Sequence, residues 1–331
     1  MTQDMKPETL LQIKNLTTSF RIDGEYYAAV DGVSLDVYKN EVFALVGESG
    51  CGKSAMALSM TRLHNMNYTR IEGEVLFDGQ DLLKMTLPEL NKIRGGHIGM
   101  IFQDPLTAMN PLSRVGAQIE ETLTYHTNFN AAEKKARALE LLDKVGMVNP
   151  ALTYNQFPHE LSGGMRQRAM IAMAIAAKPD LVIADEPTTA LDVTIQAQIL
   201  DLLRELRANT GGSMVLITHD LGVVAEMADR VAVMYAGQIV ETASVETIFE
   251  NPLHPYTRSL LNSMPSAITD EARLHTIQGI VPTLQNLPRT GCRFAERIPW
   301  QTEHEAEPQL TEVSPGHFVL CNCHKTFKLG A

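Results

Sequence analysis

The 331-residue sequence contains few cysteines and no long apolar run. Its four cysteines, Cys51, Cys292, Cys321 and Cys323, are too unevenly spaced for a disulfide framework, which favours a reducing compartment. No segment approaches the roughly 18 apolar residues that a membrane-spanning helix requires, and residues 1–15 lack the apolar core of a signal peptide. We therefore expect a soluble chain that is not secreted.

Basic residues are also in deficit, with 28 Lys and Arg against 39 Asp and Glu, a formal charge of -11. Proteins that bind nucleic acids usually carry an excess of positive charge because they neutralise phosphates. We therefore expect no nucleic acid as a partner. Apolar residues at 44% and charged residues at 20% are ordinary for a globular protein, so the chain is long enough for a large domain with an appendage.

Glycine and proline residues, which favour turns, divide the chain into segments. From Leu11 to about Asp81, short apolar runs alternate with turns such as Asp23-Gly24 and Asp78-Gly79, a pattern typical of strands and hairpins. Residues from about 87 to 160 show long helical patterns, notably Ala131–Val145, and predict a mostly helical insertion.

After Leu161, helices and strands alternate. The predicted elements are helix Gly164–Ala177, strand Leu181–Ala184, helix Thr194–Ala208 and strand Met214–Thr218. Such βα alternation predicts a parallel sheet with helices packed on it. Beyond about Asn251, repeated prolines interrupt the pattern, so we divide the chain into residues 1–250 and a separate, loop-rich appendage at 251–331.

Residues 47–54 read GESGCGKS, a complete G-x-x-x-x-G-K-S phosphate loop between strand Val42–Val46 and helix Ser54–Leu63. Glycines let the backbone N–H groups approach phosphate oxygens, and the following helix presents its positive end. Lys53 would neutralise the β- and γ-phosphates, and the Ser54 hydroxyl would bind Mg²⁺. The residues expected to contact the nucleotide here are Gly47, Ser49, Gly50, Cys51, Gly52, Lys53 and Ser54.

Three further apolar strands end in polar residues: Gln103 follows 98–102, Asp185 and Glu186 follow 181–184, and His219 follows 214–218. Ligands of open α/β sheets bind beyond the carboxyl ends of the strands. Singly, these residues could be solvated loop or cap residues. Together with a phosphate loop they predict a hydrolysis site.

The predicted roles at this site differ. Asp185 and Gln103 would be Mg²⁺ ligands, and Glu186 would activate water as the general base. Gln103 would also orient that water, and His219 would reach the γ-phosphate.

A second anion-binding helix end is predicted at residues 161–168, which read LSGGMRQR. Ser162, Gly163 and Gly164 open an apolar helix, but this loop has no lysine of its own. It therefore resembles half a site, suited to capping the γ-phosphate of a nucleotide held on another subunit.

The phosphate loop, Gln103, LSGGMRQR, LVIADEP at 181–187 and His219, in this order, resemble the ABC ATPase family over residues 11 to about 245. The resemblance implies an α/β P-loop NTPase fold, a RecA-like core with an antiparallel β subdomain and a helical insertion. It also implies a head-to-tail dimer of cassettes that encloses two ATP molecules.

Two more segments extend this resemblance. Residues 187–192 are similar to the family's D-loop, with Asp192 crossing the dimer interface. Phe20, with Tyr26 and Tyr27 as alternatives, matches the aromatic residue that stacks on adenine.

The appendage at 251–331, called the tail from here on, resembles the C-terminal extension of oligopeptide and dipeptide permease ATPases. The resemblance lies at residues 251–261 and 291–297. This implies a peripheral motor on the cytoplasmic face of the membrane, working with a second, related cassette, two membrane permeases and an extracytoplasmic solute-binding protein. The implied cargo is peptides, with nickel or another small solute as the alternative.

Residues 104–111 either contact a membrane subunit or form an ordinary active-site loop.

The rival interpretation is a non-transport ABC ATPase acting on DNA or the ribosome. Such relatives typically carry long coiled coils, zinc modules or two cassettes, and the sequence has none of these.

Members of the permease subfamily often hold an iron-sulfur cluster with four cysteines in the tail. Here Ile298 stands at the second position and the third is missing, which leaves Cys292, Cys321 and Cys323. The alternatives are a cluster and leftover reduced thiols.

Overall fold

The computed structural model describes residues 7–189, 191–263, 279–298 and 308–320, with the backbone alone at Leu206, Asn209 and Thr210. The chain forms two compact units. The first comprises residues 1–83 and 218–331, and the second comprises residues 84–217.

The strands are β1 Thr9–Ile22, β2 Glu25–Tyr38, β3 Val42–Val46, β4 Thr69–Phe77, β5 Gln80–Asp81, β6 Ile98–Ile101, β7 Leu181–Asp185, β8 Ser213–Thr218, β9 Arg230–Tyr235, β10 Gln238–Ser244, β11 Thr311–Ser314 and β12 His317–Val319. The helices are α1 Lys53–Met60, α2 Leu87–Ile93, α3 Pro105–Ala108, α4 Val115–His126, α5 Ala131–Lys144, α6 Pro150–Asn155, α7 Gly163–Ala174, α8 Val193–Thr210, α9 Leu221–Met227, α10 Val245–Glu250 and α11 Pro255–Asn262. Short 3₁₀ turns occupy Pro158–Glu160 and Ala295–Arg297.

The first unit contains an antiparallel sheet in the order β2-β1-β4-β5. Its β1–β2 hairpin turns at Asp23 and Gly24, whose φ angles of 51° and 91° suit a tight two-residue turn. The strands and hairpins predicted for residues 11–81 are thus present, interrupted by the phosphate loop and α1.

A second group of strands in the first unit runs in the order β11-β12-β10-β9-β3. β3 and β9 are parallel, with Val46 opposite Val233, whereas β9, β10, β12 and β11 pair antiparallel. All five residues of β3 are buried, which explains its uninterrupted apolar sequence. This buried strand delivers the chain directly into the phosphate loop.

The tail shares the core of the first unit. Tyr256, Phe294 and Ile298 belong to the same buried apolar cluster as Val46 and Tyr235. The rings of Tyr235, Tyr256 and Phe294 contact one another with centroids 4.7–5.3 Å apart. Each such pair contributes about 0.5–1.5 kcal/mol beyond its buried area. Among the described residues, therefore, the tail packs into the core of the first unit.

A buried carboxylate joins the tail to β10. Glu241 is fully buried, and its oxygens accept hydrogen bonds from the backbone N–H groups of Leu253 and His254 at 2.7 and 2.9 Å and from His317 Nε2 at 2.7 Å. Burial alone would raise the pKa of Glu241, but these hydrogen bonds outweigh it and leave the pKa below its usual value.

The second unit contains the parallel strands β6, β7 and all but the last residue of β8, in the order β6-β7-β8. This arrangement confirms the parallel sheet predicted from the βα alternation. The range of about 87–160 is mostly helical as predicted, but it also includes β6, which pairs with β7. α4, α5 and α6 contact one another in this unit, and α7 contacts α4 and α5. No helix within the described residues is both long and apolar enough to span a bilayer.

We predict that Glu241→Gln lowers the free energy of unfolding by roughly 1–3 kcal/mol at pH 7, because hydrogen bonds to a charged acceptor are replaced by weaker neutral ones. Since the pKa is lowered on folding, the stabilisation is complete above the unfolded pKa near 4.5 and is lost as the pH falls through the folded value. Urea unfolding of both proteins at several pH values will measure this.

The difference between wild type and Glu241→Gln should therefore shrink as the pH falls below about 4.5. The exposed Glu250→Gln is the control, with no comparable loss at pH 7. A difference for Glu241→Gln that stays constant down to acid pH contradicts the prediction.

Candidate functional site

The phosphate loop is enclosed by backbone from β2 and β9. A Cβ at Gly47 would lie 2.2 Å from the carbonyl oxygen of Met234, and a Cβ at Gly52 would lie 2.5 Å from that of Ala29. Gly52 also has a φ of 111°, which L side chains rarely adopt. By contrast, Gly50 has a φ of 81° but faces open space. The loop thus needs glycine at two positions for close backbone approach.

Lys53 lies inside this loop. Its Nζ donates to the carbonyl oxygens of Gly47 at 2.8 Å and Glu48 at 3.1 Å, and the residue is 4% exposed. Ser49 and Gly50 are exposed at the rim, and Ser54 is half-buried in the first turn of α1. A buried ammonium beside exposed loop residues suits the binding of terminal phosphates.

Cys51 is buried in the same loop, and its backbone oxygen accepts a hydrogen bond from the N–H of Gly237 at 2.8 Å. Burial raises the pKa of the Cys51 thiol, which disfavours the reactive thiolate.

Glu48 is a residue whose role the sequence did not reveal. Its carboxylate forms a two-point contact with the guanidinium of Arg297, at 2.7 and 3.2 Å, and its backbone N–H donates to Tyr256 Oη at 2.8 Å. An acidic side chain in an anion-binding loop was the one signal available. Nothing local identified its partners, which lie more than 200 residues away.

We predict that Gly52→Ala destabilises the protein more than Gly50→Ala does. Both substitutions place alanine at positive φ, at a cost of about 1–2 kcal/mol, but only the first also forces a Cβ against a backbone carbonyl. Thermal unfolding followed by circular dichroism will compare the two. Equal melting temperatures contradict the steric explanation.

In the second unit, Glu186 is held by two polar side chains. Its Oε2 accepts hydrogen bonds from Gln103 Nε2 at 3.0 Å and from Thr189 Oγ1 at 2.8 Å. The structure therefore brings together Gln103 and Glu186, two residues that the sequence predicted for one site, and adds Thr189. Glu186 has a φ of 45°, a costly conformation for a non-glycine residue that is concentrated at functional sites.

Asp185 is the last residue of β7 and is 4% exposed. Its carboxylate, the Gln103 amide oxygen and the Ser54 hydroxyl are hard oxygen donors, the ligand type that Mg²⁺ prefers. Since Gln103 uses its nitrogen to contact Glu186, its oxygen remains the atom suited to a cation. The residues predicted as metal ligands thus have the right chemistry.

The LSGG segment opens α7 as predicted. Ser162 is the N-cap, and its hydroxyl accepts from the N–H of Met165 at 3.3 Å. Ser162 and Gly163 are exposed, whereas Gly164 lies against Ile195, where a Cβ would be 2.9 Å from Cγ2. α7 begins at Gly163 and ends at Ala174, three residues before the predicted end.

The remaining predicted site residues, Phe20 and His219, lie in the first unit. Phe20 is half-buried in β1, with its ring edge-to-face with His64 at 5.2 Å. His219 is exposed between β8 and Asp220, the residue that caps α9. Because Lys53 and His219 belong to the first unit and Gln103 and Glu186 to the second, their convergence on one nucleotide stays a prediction.

The described part of the tail does not support the iron-sulfur cluster considered for its cysteines. Cys292 is buried in the apolar cluster, while Cys321 and Cys323 lie outside the described residues. Within residues 7–189, 191–263, 279–298 and 308–320, no group of three or more His, Cys, Asp or Glu side chains could hold a metal ion.

Two family models match the chain. The model described as ABC transporter matches residues 30–189. The model described as Oligopeptide/dipeptide transporter, C-terminal region, matches residues 240–304.

Similar proteins match nearly the whole length. The oligopeptide transport ATP-binding protein OppD of Lactococcus lactis subsp. cremoris (strain SK11) is 50% identical over 98% of this chain and 97% of its own. OppD of Bacillus subtilis (strain 168) is 50% identical over 94% of this chain and 87% of its own. A probable peptide ABC transporter ATP-binding protein, y4tR of Sinorhizobium fredii, is 48% identical over 97% of each chain.

Among solved structures, the chain is similar to the ATP-binding cassette MJ0796 in a dimeric post-hydrolysis state bound to ADP and Pi. The TM-score is 0.64 at 30% identity, covering 71% of this chain and 98% of that one. The geometry of the phosphate loop, the LSGG helix and the full-length similarity all indicate the same family. The chain belongs to the ABC transporter family, among the ATP-binding proteins that carry the oligopeptide/dipeptide transporter C-terminal region.

Proposed function

We propose that this chain is the ATP-hydrolysing subunit of an ABC importer that takes up oligopeptides or dipeptides. The observation that carries the hydrolytic role is the carboxylate of Glu186, held at the end of β7 by Gln103 and Thr189. The peptide substrate is supported by the C-terminal family match and by the names of the relatives.

In the hydrolysis step, Glu186 accepts a proton from the water that attacks the γ-phosphate. Gln103 keeps the carboxylate and that water aligned, and His219 contacts the γ-phosphate. Lys53 neutralises charge on the β- and γ-phosphates. Ser54, Gln103 and Asp185 would hold Mg²⁺, which would supply further neutralisation of the phosphate oxygens.

The complete site needs a second cassette. The exposed hydroxyl of Ser162 and the exposed backbone of Gly163 suit the capping of a γ-phosphate bound to another subunit, and the similar cassette MJ0796 is dimeric. Phe20 stacks on adenine, and Asp192 crosses the interface. The second cassette is a related chain, as in the importer architecture that the tail resembles.

The remaining partners are two membrane permeases and an extracytoplasmic solute-binding protein. This places the subunit at the cytoplasmic face of the membrane as a peripheral component. ATP binding closes the pair of cassettes and hydrolysis opens it, which drives the permeases between states. Selection of the peptide resides in the binding protein and the permeases.

We predict that Glu186→Gln lowers the ATP hydrolysis rate by about 10²- to 10⁴-fold and accumulates ATP-bound dimers, because glutamine retains the size of the side chain but cannot accept the proton. Phosphate release and light scattering after size exclusion will measure rate and mass. Glu205→Gln, on the exposed surface of α8, is the control and should behave as wild type. Full turnover by Glu186→Gln would refute its role as base.

The peptide role is tested by reconstituting the subunit in liposomes with its partner permeases and solute-binding protein. We expect a synthetic tripeptide to stimulate both ATP hydrolysis and its own uptake, and Ni²⁺ to stimulate neither. Stimulation by Ni²⁺ alone would contradict a peptide importer while leaving the ATPase assignment intact.

A further inference from the structure

The first variable position of the phosphate loop carries a negative charge. Glu48 follows Gly47, and its carbonyl oxygen accepts a hydrogen bond from Lys53 at 3.1 Å. A carboxylate beside a site for phosphates opposes their binding through like-charge repulsion, and the repulsion is stronger where water is partly excluded. The acid therefore requires a counter-charge if the loop is to accept ATP.

Arg297, in the tail, supplies that counter-charge. Both carboxylate oxygens of Glu48 accept from its guanidinium, at 2.7 and 3.2 Å, in the two-point geometry specific to arginine. The Arg297 side chain is 5% exposed and that of Glu48 is 28% exposed, so the pair is shielded from solvent screening more than a surface ion pair.

The position of Arg297 is fixed by its surroundings. Its guanidinium also donates to the Gly279 carbonyl oxygen at 3.2 Å, and it lies 5.7 Å from the ring centroids of Tyr235 and Phe294. These contacts hold the charge at one place.

A second tail residue holds the main chain of Glu48. Tyr256 Oη accepts a hydrogen bond from the Glu48 N–H at 2.8 Å, and Tyr256 is fully buried against Tyr235 and Phe294. Side chain and backbone of one loop residue are thus both bound by residues beyond position 250.

We propose that the C-terminal segment is a positioning element of the nucleotide site, in which Arg297 neutralises Glu48 and, with Tyr256, holds the phosphate loop in the shape that accepts ATP. The proposal rests on the assignment of residues 47–54 as the ATP site. Arg297 and Tyr256 act through Glu48 and are not catalytic residues. The tail thereby sets the affinity of this subunit for ATP.

The test is equilibrium binding of a fluorescent methylanthraniloyl-ATP, with Mg²⁺, to the full chain. Arg297→Met should raise Kd about tenfold, a coupling within the range usual for linked sites. Because the defect is electrostatic, Glu48→Gln introduced into Arg297→Met should restore Kd to within about threefold of wild type. The defect of Arg297→Met should also shrink as the salt concentration rises.

Two milder variants keep the test decisive if Arg297→Met fails to fold. Arg297→Lys retains the charge without the two-point contact and should give an intermediate Kd. Tyr256→Phe removes only the hydroxyl acceptor and should weaken binding about threefold, close to the value of one neutral hydrogen bond.

His317→Gln is the matched control, because it disturbs the tail at Glu241 and not at the phosphate loop. It should lower the melting temperature and leave Kd unchanged. A wild-type Kd for folded Arg297→Met, or a double variant that binds no better than Arg297→Met, overturns the proposal. If wild type does not bind the probe, or Lys53→Ala binds it equally well, the ATP-site assignment itself fails.

Discussion

The close approach of backbone to backbone around the phosphate loop is the constraint on which the first unit depends. The carbonyl oxygens of Met234 and Ala29 leave no room for a side chain at Gly47 and Gly52, and the N–H of Gly237 binds the Cys51 oxygen. The loop is therefore shaped by β2 and by the β9–β10 turn as much as by its own sequence. Any movement of that turn is transmitted to the loop without an intervening flexible side chain.

The same turn is where the tail meets the rest of the first unit. Arg293 donates to the Ala236 carbonyl oxygen at 2.5 Å and forms an ion pair with Asp31. Tyr235, one residue earlier, packs against Tyr256 and Phe294. The phosphate loop, the β9–β10 turn and the tail consequently pack together. The tail, which is specific to this group of transporters, thus supports a phosphate loop that is common to many ATPases.

Sequence reasoning succeeded where the chemistry is local. The phosphate loop, its flanking strand and helix, and the LSGG helix cap depend on neighbouring residues, so spacing alone indicated them. The same holds for the turn at Asp23-Gly24. The pairing of Gln103 with Glu186 was predictable because carboxyl ends of adjacent parallel strands meet at one edge.

Contacts between residues far apart in the sequence could not be predicted. Glu48 and Arg297 are separated by 249 positions and Glu241 and His317 by 76, and no local pattern marks either pair. The prolines of the tail correctly indicated irregular backbone, but irregular backbone does not preclude burial. Its aromatic residues, which pack into the core, were the better signal.

The shared aromatic cluster has a consequence for how the protein can be divided. A fragment ending at residue 250 would retain the complete phosphate loop and yet expose the face of Tyr235 that Tyr256 and Phe294 now cover. It would also leave Glu241 without His317, and Glu48 without its arginine. The minimal nucleotide-binding piece of this chain is thus defined by packing rather than by the last ATPase motif.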